Sequence, residues 1–168
     1  MNEKAEASTK AARRRITLER TYRAPLKDVW ELWTTKEGLE SWWGPDGFRV
    51  EVHVIDLRPG GELRYDMIAT GSEQIEFMKK AGMPIAQPAH ATYVEVTPMT
   101  RLLYLHSTDF IPGIEPYDVQ TLVELFPKGD SVRMLLSFDA MHDERWTTMA
   151  VQGWEMELGK LGKALAAG

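Results

Sequence analysis

Apolar residues recur along this chain with two different periods. Near the C-terminal end, Trp146, Ala150, Trp154, Leu158, Leu161 and Leu165 are spaced three or four apart, which places them on one broad helical face. Glu144, Thr148, Gln152, Glu155 and Gly159 fall on the other side. Asp143 stands just before them, where a carboxylate can accept the free N–H groups of a first turn. The pattern predicts a helix over 143–166, roughly 36 Å long at about 1.5 Å per residue. Two tryptophans on its inner face need a wide surface to bury against, and a curved sheet supplies one.

The period-two stretches predict that sheet. Ile16 to Arg23 reads as a first strand, with Ile16, Leu18 and Arg20 on one face. Phe48, Val50, Val52 and Val54 alternate with Arg49, Glu51 and His53. Leu63, Tyr65, Met67 and Ala69 form another inward row. Thr92, Val94 and Val96 form the next, with Tyr93 and Glu95 facing away. Leu102 to Thr108 is a strand with apolar residues on both faces. Two further rows are Val119, Thr121, Val123, Leu125 and Val132, Met134, Leu136, Phe138. Turns at Pro59-Gly60-Gly61 and Pro127 to Asp130 join neighbours closely, so the sheet is antiparallel.

Two short helices are expected after the first strand. Pro25 suits a first helical position, where its missing N–H is no loss, and Val29, Trp30 and Trp33 give that helix an apolar face. A second helix, about 36–43, is stopped by Gly44-Pro45. The predicted fold is α+β: a curved antiparallel sheet of about seven strands wrapped on a long C-terminal helix. This is a helix-grip architecture.

Gly71 to Ala89 departs from the expected short turn. Ser72 can cap a helix there, Glu73 and Glu76 sit early, Lys79 and Lys80 sit late, and Gly82 and Pro84 stop it. Ile75 and Met78 give it a small apolar face. The segment reads as a helical insertion: a lid, a dimer contact, or neutral surface. Residues 1–15 read as a mobile tail, leaving a single domain over 16–167. The run Arg13-Arg14-Arg15 reads as solvated tail rather than a nucleic-acid contact.

Composition narrows the function classes. With 168 residues the chain can hold one real core. A net charge of −5 argues against nucleic acid. The absence of cysteine excludes disulfides, thiol nucleophiles and cysteine-held metal, and fits a cytoplasmic setting. No apolar run approaches the roughly 20 residues of a membrane span. Six tryptophans and nine methionines suit a core that leaves room for a guest, or one that is merely aromatic-rich.

Several motifs together resemble one family. They are Arg20-x-Tyr22-x-Ala24-Pro25, Val29-Trp30-x-x-Trp33-Thr34 and Leu39-x-x-Trp42-Trp43-Gly44-Pro45, then Phe48 to Asp56, Pro59-Gly60-Gly61, and Tyr65 with Met67. Tyr93-x-Glu95-Val96-x-Pro98, Arg101-Leu102 and Gly153-Trp154-x-x-x-Leu158-x-x-Leu161 continue the match, which covers about 16–165. The chain resembles the SRPBCC (START, birch-pollen-allergen-like) superfamily, in the branch similar to the C-terminal domain of heat-shock ATPase activators. The resemblance implies the helix-grip fold. It carries no catalytic motif. The extra partner-binding domain of the eukaryotic activators is expected to be absent.

Phase and fold suggest where a guest would sit. On the sheet, Tyr65, Met67, Val94, Val123, Met134 and Phe138 are expected to point inward. On the helix, Trp146, Met149, Ala150, Gly153 and Trp154 face them, with Trp42 from the second early helix. The competing expectation is that these side chains fill the space completely. Glu157 lies at the edge of the apolar face, a position that favours snorkelling; held inside, it would be a candidate acid or base. His106 shares phase with Leu102 and Tyr104 and is the other candidate. His53 is expected in solvent, and His90 and His142 in loops. Asp109, Asp118, Asp139 and Asp143 suit turns and caps. No zinc spacing, phosphate loop, nucleophile elbow or dinucleotide fingerprint is present, so no metal or cofactor is expected.

Three functions remain. The first is a carrier or sensor for a small hydrophobic or amphipathic molecule. The second is an enzyme of the same fold, cyclase/aromatase- or hydrolase-like, using Glu157 and His106. The third, which the resemblance implies, is a regulator of a chaperone ATPase or another protein-interaction module. A homodimer is compatible with each, although no stripe specifies one.

Overall fold

The computed structural model describes residues 14–109 and 111–167. In chain order the elements are β1 (Arg15–Tyr22), α1 (Leu26–Thr34), α2 (Lys36–Trp42), β2 (Phe48–Ile55), β3 (Glu62–Ala69), α3 (Ser72–Lys80), β4 (Ala86–Thr97), β5 (Arg101–Thr108), β6 (Tyr117–Lys128), β7 (Ser131–Asp139) and α4 (Glu144–Ala167). The strands form one antiparallel sheet in the order β1-β7-β6-β5-β4-β3-β2. β1 and β2 therefore lie at opposite edges, and α1 with α2 carries the chain across the full width between them. The α+β helix-grip fold predicted from the periodicity is the one found, with α3 added between β3 and β4.

Local chemistry explains the helical layer. Val29, Trp30 and Trp33 of α1 are all buried. Thr35 caps α2, its Oγ1 accepting the Gly38 N–H at 3.0 Å. A Cβ at Gly38 would lie 2.2 Å from the Glu31 carbonyl, so only glycine lets α2 fold back so closely on α1. Trp42 is fully buried and its Nε1–H donates to the Leu32 carbonyl at 2.7 Å. Trp33 meets Trp42 edge-on at 4.7 Å and Trp154 of α4 at 6.0 Å. The Tyr22 hydroxyl donates to the Leu158 carbonyl at 3.1 Å, tying β1 to α4. Asp143 Oδ1 accepts the Trp146 N–H at 2.8 Å as the expected cap of α4. Glu144, Thr148, Gln152, Glu155 and Gly159 are all exposed, as their spacing predicts.

The inward rows of β3, β6 and β7 follow their expected phase; Leu63, Tyr65, Val123, Leu125, Met134, Leu136 and Phe138 are buried. Two strands depart from it. A register shift between Val52 and Val54 turns Val54 outward, 41% exposed. Another between Tyr93 and Glu95 accompanies a reversed phase in β4: Ala91 and Tyr93 are buried, and Val94 is 44% exposed. An extra residue in one strand of a pair flips the faces on either side of it.

β4 also starts at Ala86, earlier than expected, and takes up the end of the 71–89 segment. Pro88 lies opposite Asp66, beyond the ladder with β5 that begins at Ala91, where a missing N–H is tolerated. His90 pairs with Arg64 and so sits in a strand, not in a loop. α3 forms as predicted, but Gly71 occupies the cap position and Ser72 is the first helical residue. The Thr70 and Gly71 N–H groups both donate to the Gly47 carbonyl, at 2.8 and 3.0 Å, and this bond pair sets where α3 begins. Met78 is buried there and Phe77 is 62% exposed. Of the expected tail, residues 1–13 lie outside the described residues. Arg14 donates to both carboxylate oxygens of Glu144 at 2.8 Å, and Arg15 opens β1.

Candidate functional site

Polar groups collect where β3, β4 and β5 face α4. Tyr65 on β3 and His106 on β5 share a hydrogen bond of 2.6 Å between hydroxyl and Nε2. Trp43 covers the pair, its ring 4.7 Å from Tyr65 and 6.0 Å from His106. Tyr104 lies beside His106 at 6.3 Å, and Tyr93 stands directly opposite Tyr104 in the ladder, its ring also 6.3 Å away. Tyr93 and Tyr104 are 1% and 2% exposed, and no group among the described residues hydrogen-bonds either hydroxyl. Thr121 pairs with Tyr104 across β5 and β6, but its hydroxyl falls outside hydrogen-bonding geometry while still drawing the Tyr104 pKa slightly down.

Glu157 comes to this cluster from α4, 8% exposed. Snorkelling is overturned, because Gly44 holds the carboxyl inside. The Gly44 N–H donates to Glu157 Oε2 at 3.4 Å, and Lys160 Nζ, one turn on, donates to the Gly44 carbonyl at 2.7 Å. Glu157 and Lys160 thus grip the two ends of one residue in the α2–β2 loop. Gly44 has φ +104°, a conformation that side-chain-bearing residues avoid.

The electrostatics follow from enclosure. Burial pushes the Glu157 carboxyl up to about 8, opposed by the Gly44 N–H and the Lys160 charge. Glu157 is therefore mostly a neutral acid near pH 7, able to donate as well as accept. His106 is half-buried as a residue, but its ring lies among Trp43, Tyr65 and Tyr104. Burial, with help from the His90 charge and against that of Asp109, holds it down to about 4. It is neutral. Burial raises the Tyr65 and Tyr104 hydroxyls well above the ordinary tyrosine value, and the Glu157 charge adds to both. Burial raises Tyr93 in the same way.

The expected lining residues divide into three groups. Tyr65, Val123, Met134 and Phe138 are buried on the sheet, and Met67 packs partly buried against the core. Trp154 lies 6.1 Å from Phe138, and Ala150 also packs on the core. Trp42 is committed to α1 and to the Leu32 carbonyl. Trp146 sits toward the end of the sheet with its ring 5.8 Å from His142, which itself bonds the Tyr117 hydroxyl through Nδ1 at 2.8 Å. Val94 and Met149 are corrections. Val94 is turned out at the β4 irregularity. Met149 is 46% exposed because it lies about 80° round the helix from Glu157, on the side away from Leu158. At Gly153, one turn before Glu157, an added Cβ would meet nothing within 4 Å. Tyr93 and Tyr104 join the site with no mark in the residue pattern, Tyr93 because β4 reverses its phase. His53 is exposed and sits 3.1 Å from Asp66. Asp139 accepts the Gln120 N–H at 3.0 Å, a structural use. Among the described residues no three His, Asp or Glu side chains are grouped as a metal would need, and no helix is long and apolar enough to cross a membrane.

A sheet closed by one long helix, with polar groups held between them, defines a helix-grip domain of the SRPBCC superfamily. The chain belongs to the Activator of Hsp90 ATPase homolog 1-like protein family, whose sequence profile matches residues 23–166. A protein of known structure from Chromobacterium violaceum is 24% identical over 90% of this chain and 96% of its own, with a TM-score of 0.75. The AHSA1 protein from Silicibacter pomeroyi is 18% identical over 92% and 99% of the two chains, TM-score 0.72. The AHSA1-like protein from Aeromonas hydrophila is 18% identical over 92% and 93%, TM-score 0.69. At these identities the likeness concerns the fold alone. No curated protein matches the chain.

Proposed function

We propose that this protein binds a small hydrophobic or amphipathic molecule between the inner face of the sheet and α4, as a carrier or sensor. The observation that carries this reading is the polar cluster of Glu157, Tyr65 and His106 set against the aromatic surfaces of Trp43, Trp154 and Phe138. Mostly apolar surroundings with a few placed polar groups are what small-molecule sites share. The open flank at Gly153 supports it, since a guest beside Glu157 needs a stretch of helix without a side chain. The membership in a superfamily whose members commonly bind ligands in this place agrees. Lack of cysteine is the ground for placing it in the cytoplasm.

Native mass spectrometry of the purified protein, beside the same sample denatured, is the test. An extra mass present only in the native spectrum supports the reading. A clean protein mass, together with no uptake of an apolar fluorescent probe, contradicts it. A second reading, acid–base catalysis, draws on the Glu157 carboxyl being enclosed and neutral beside the Tyr65–His106 pair. Its test is conversion of the extracted guest by the protein, lost in Glu157→Gln. The family's description also names a chaperone ATPase. Stimulation of such an ATPase by this chain would favour an interaction role instead.

A further inference from the structure

The cluster contains two donors that nothing among the described residues uses. Tyr93 and Tyr104 stand opposite each other across β4 and β5, both nearly inaccessible, and among the described residues neither hydroxyl has a partner. Tyr65 and His106 are different, because they satisfy one another. A buried hydroxyl without a partner forfeits its full hydration, so each calls for an acceptor.

The charge of that acceptor is restricted by what surrounds it. No Lys or Arg is among the buried described residues; the buried polar ones are Thr34, Thr108, Thr121, Ser137, Thr147 and Glu157. Lys160, whose charge reaches Glu157, is turned onto the Gly44 carbonyl. His106 is uncharged. An anionic head would therefore enter a low-dielectric space with no buried Lys or Arg of the described residues to pair it. A cationic head would have only Glu157, and would lose the tyrosine donors. An uncharged oxygen acceptor suits both hydroxyls.

Resting on the ligand-binding reading above, we propose that the Tyr93 and Tyr104 hydroxyls form the polar end of the site and receive the carbonyl oxygen of a neutral, largely aromatic or apolar ketone, ester or amide. The apolar remainder of the molecule lies against Trp43, Phe138 and Trp154, whose rings favour flat aromatic surfaces.

The test uses the whole chain and two fluorescent probes: the ketone prodan, and the matching naphthoate with a carboxylate in place of the propionyl group. Kd is measured for both with the unaltered protein, Tyr93→Phe and Tyr104→Phe. Both variants keep the ring and remove only an unpartnered hydroxyl, so the ligand-free thermal midpoint is expected not to fall. Prodan is expected to bind at least roughly tenfold tighter than the naphthoate, and each variant to weaken prodan roughly five- to tenfold, the loss of one hydrogen bond. Prodan affinity unchanged by both variants overturns the assignment of the hydroxyls and leaves the guest site standing. Tighter binding of the naphthoate overturns the neutral class. Failure of both probes to bind overturns this inference and the site beneath it. Should either variant fail to fold, the comparison of the two probes on the unaltered protein still decides the class.

Discussion

Glu157 and His106 carry opposite charges when ionised, and the interior resists both. Glu157 keeps its proton up to about 8 when folded and loses it near 4.5 when unfolded. Below pH 4.5 its contribution to stability is fully present; as pH rises toward 8 the unfolded state alone releases the proton, and the contribution is lost. His106 runs the other way. Its folded value is about 4 against 6.5 unfolded, so its contribution is present above 6.5 and lost as pH falls toward 4. Between about 4.5 and 6.5 the two offset each other. From 6.5 to 8 Glu157 acts alone, at ~1.4 kcal/mol per pH unit. Urea unfolding across pH is expected to show stability falling over that upper window. In Glu157→Gln, which keeps an oxygen for the Gly44 N–H, the upper window is expected to flatten and the acid-side loss from His106 to emerge. A Gln variant with the unaltered slope above pH 6.5 contradicts the burial of this carboxyl. Tyr65→Phe removes the partner of His106 Nε2 and is expected to cost about 1–3 kcal/mol in the same experiment.

At the scale of elements, α4 is both the closure of the sheet and one wall of the proposed site. Asp143 starts it, so Asp143→Ala is expected to cost about 1 kcal/mol of global stability without changing guest affinity. Gly153 separates these two roles. A glycine within a helix is unfavourable by about 1 kcal/mol relative to alanine, and the open flank gives a larger side chain room. Gly153→Leu is expected to unfold at the same or higher temperature while losing most of its affinity for an apolar probe. Full affinity in that variant would move the site away from this turn of α4.

The same scale shows what could be read from sequence. Regular periodicity gave α1, α4 and the rows of β3, β6 and β7, because each presents one unbroken face to the core, and α2 was legible from its Gly44-Pro45 stop. It failed in β4, where the irregularity beside Val94 reverses the phase and leaves no marker in the residue types. That reversal hid Tyr93, and with it the tyrosine pair. Glu157 was legible as a residue at an edge but not as a buried one. Its burial depends on Gly44, more than a hundred positions away, adopting a backbone that only the folded chain displays.

For the molecule as a whole, the crossing of α1 and α2 from β1 at one edge to β2 at the other brings Gly44 beneath α4. The sheet, the early helices and the last helix all contribute to one interior. On the proposed reading this interior, and not an outer face, receives a guest. The most direct measurement is a two-dimensional proton–nitrogen NMR titration with prodan, following the tryptophan indole N–H resonances. Trp33, Trp43 and Trp154 are expected to shift together, with the backbone amides of Gly44 and Glu157, while the outward Val94 and Met149 amides stay in place. Shifts confined to Val94, Met149, Phe77 or other exposed positions, with those three indoles unmoved, would place the guest on an outer face instead.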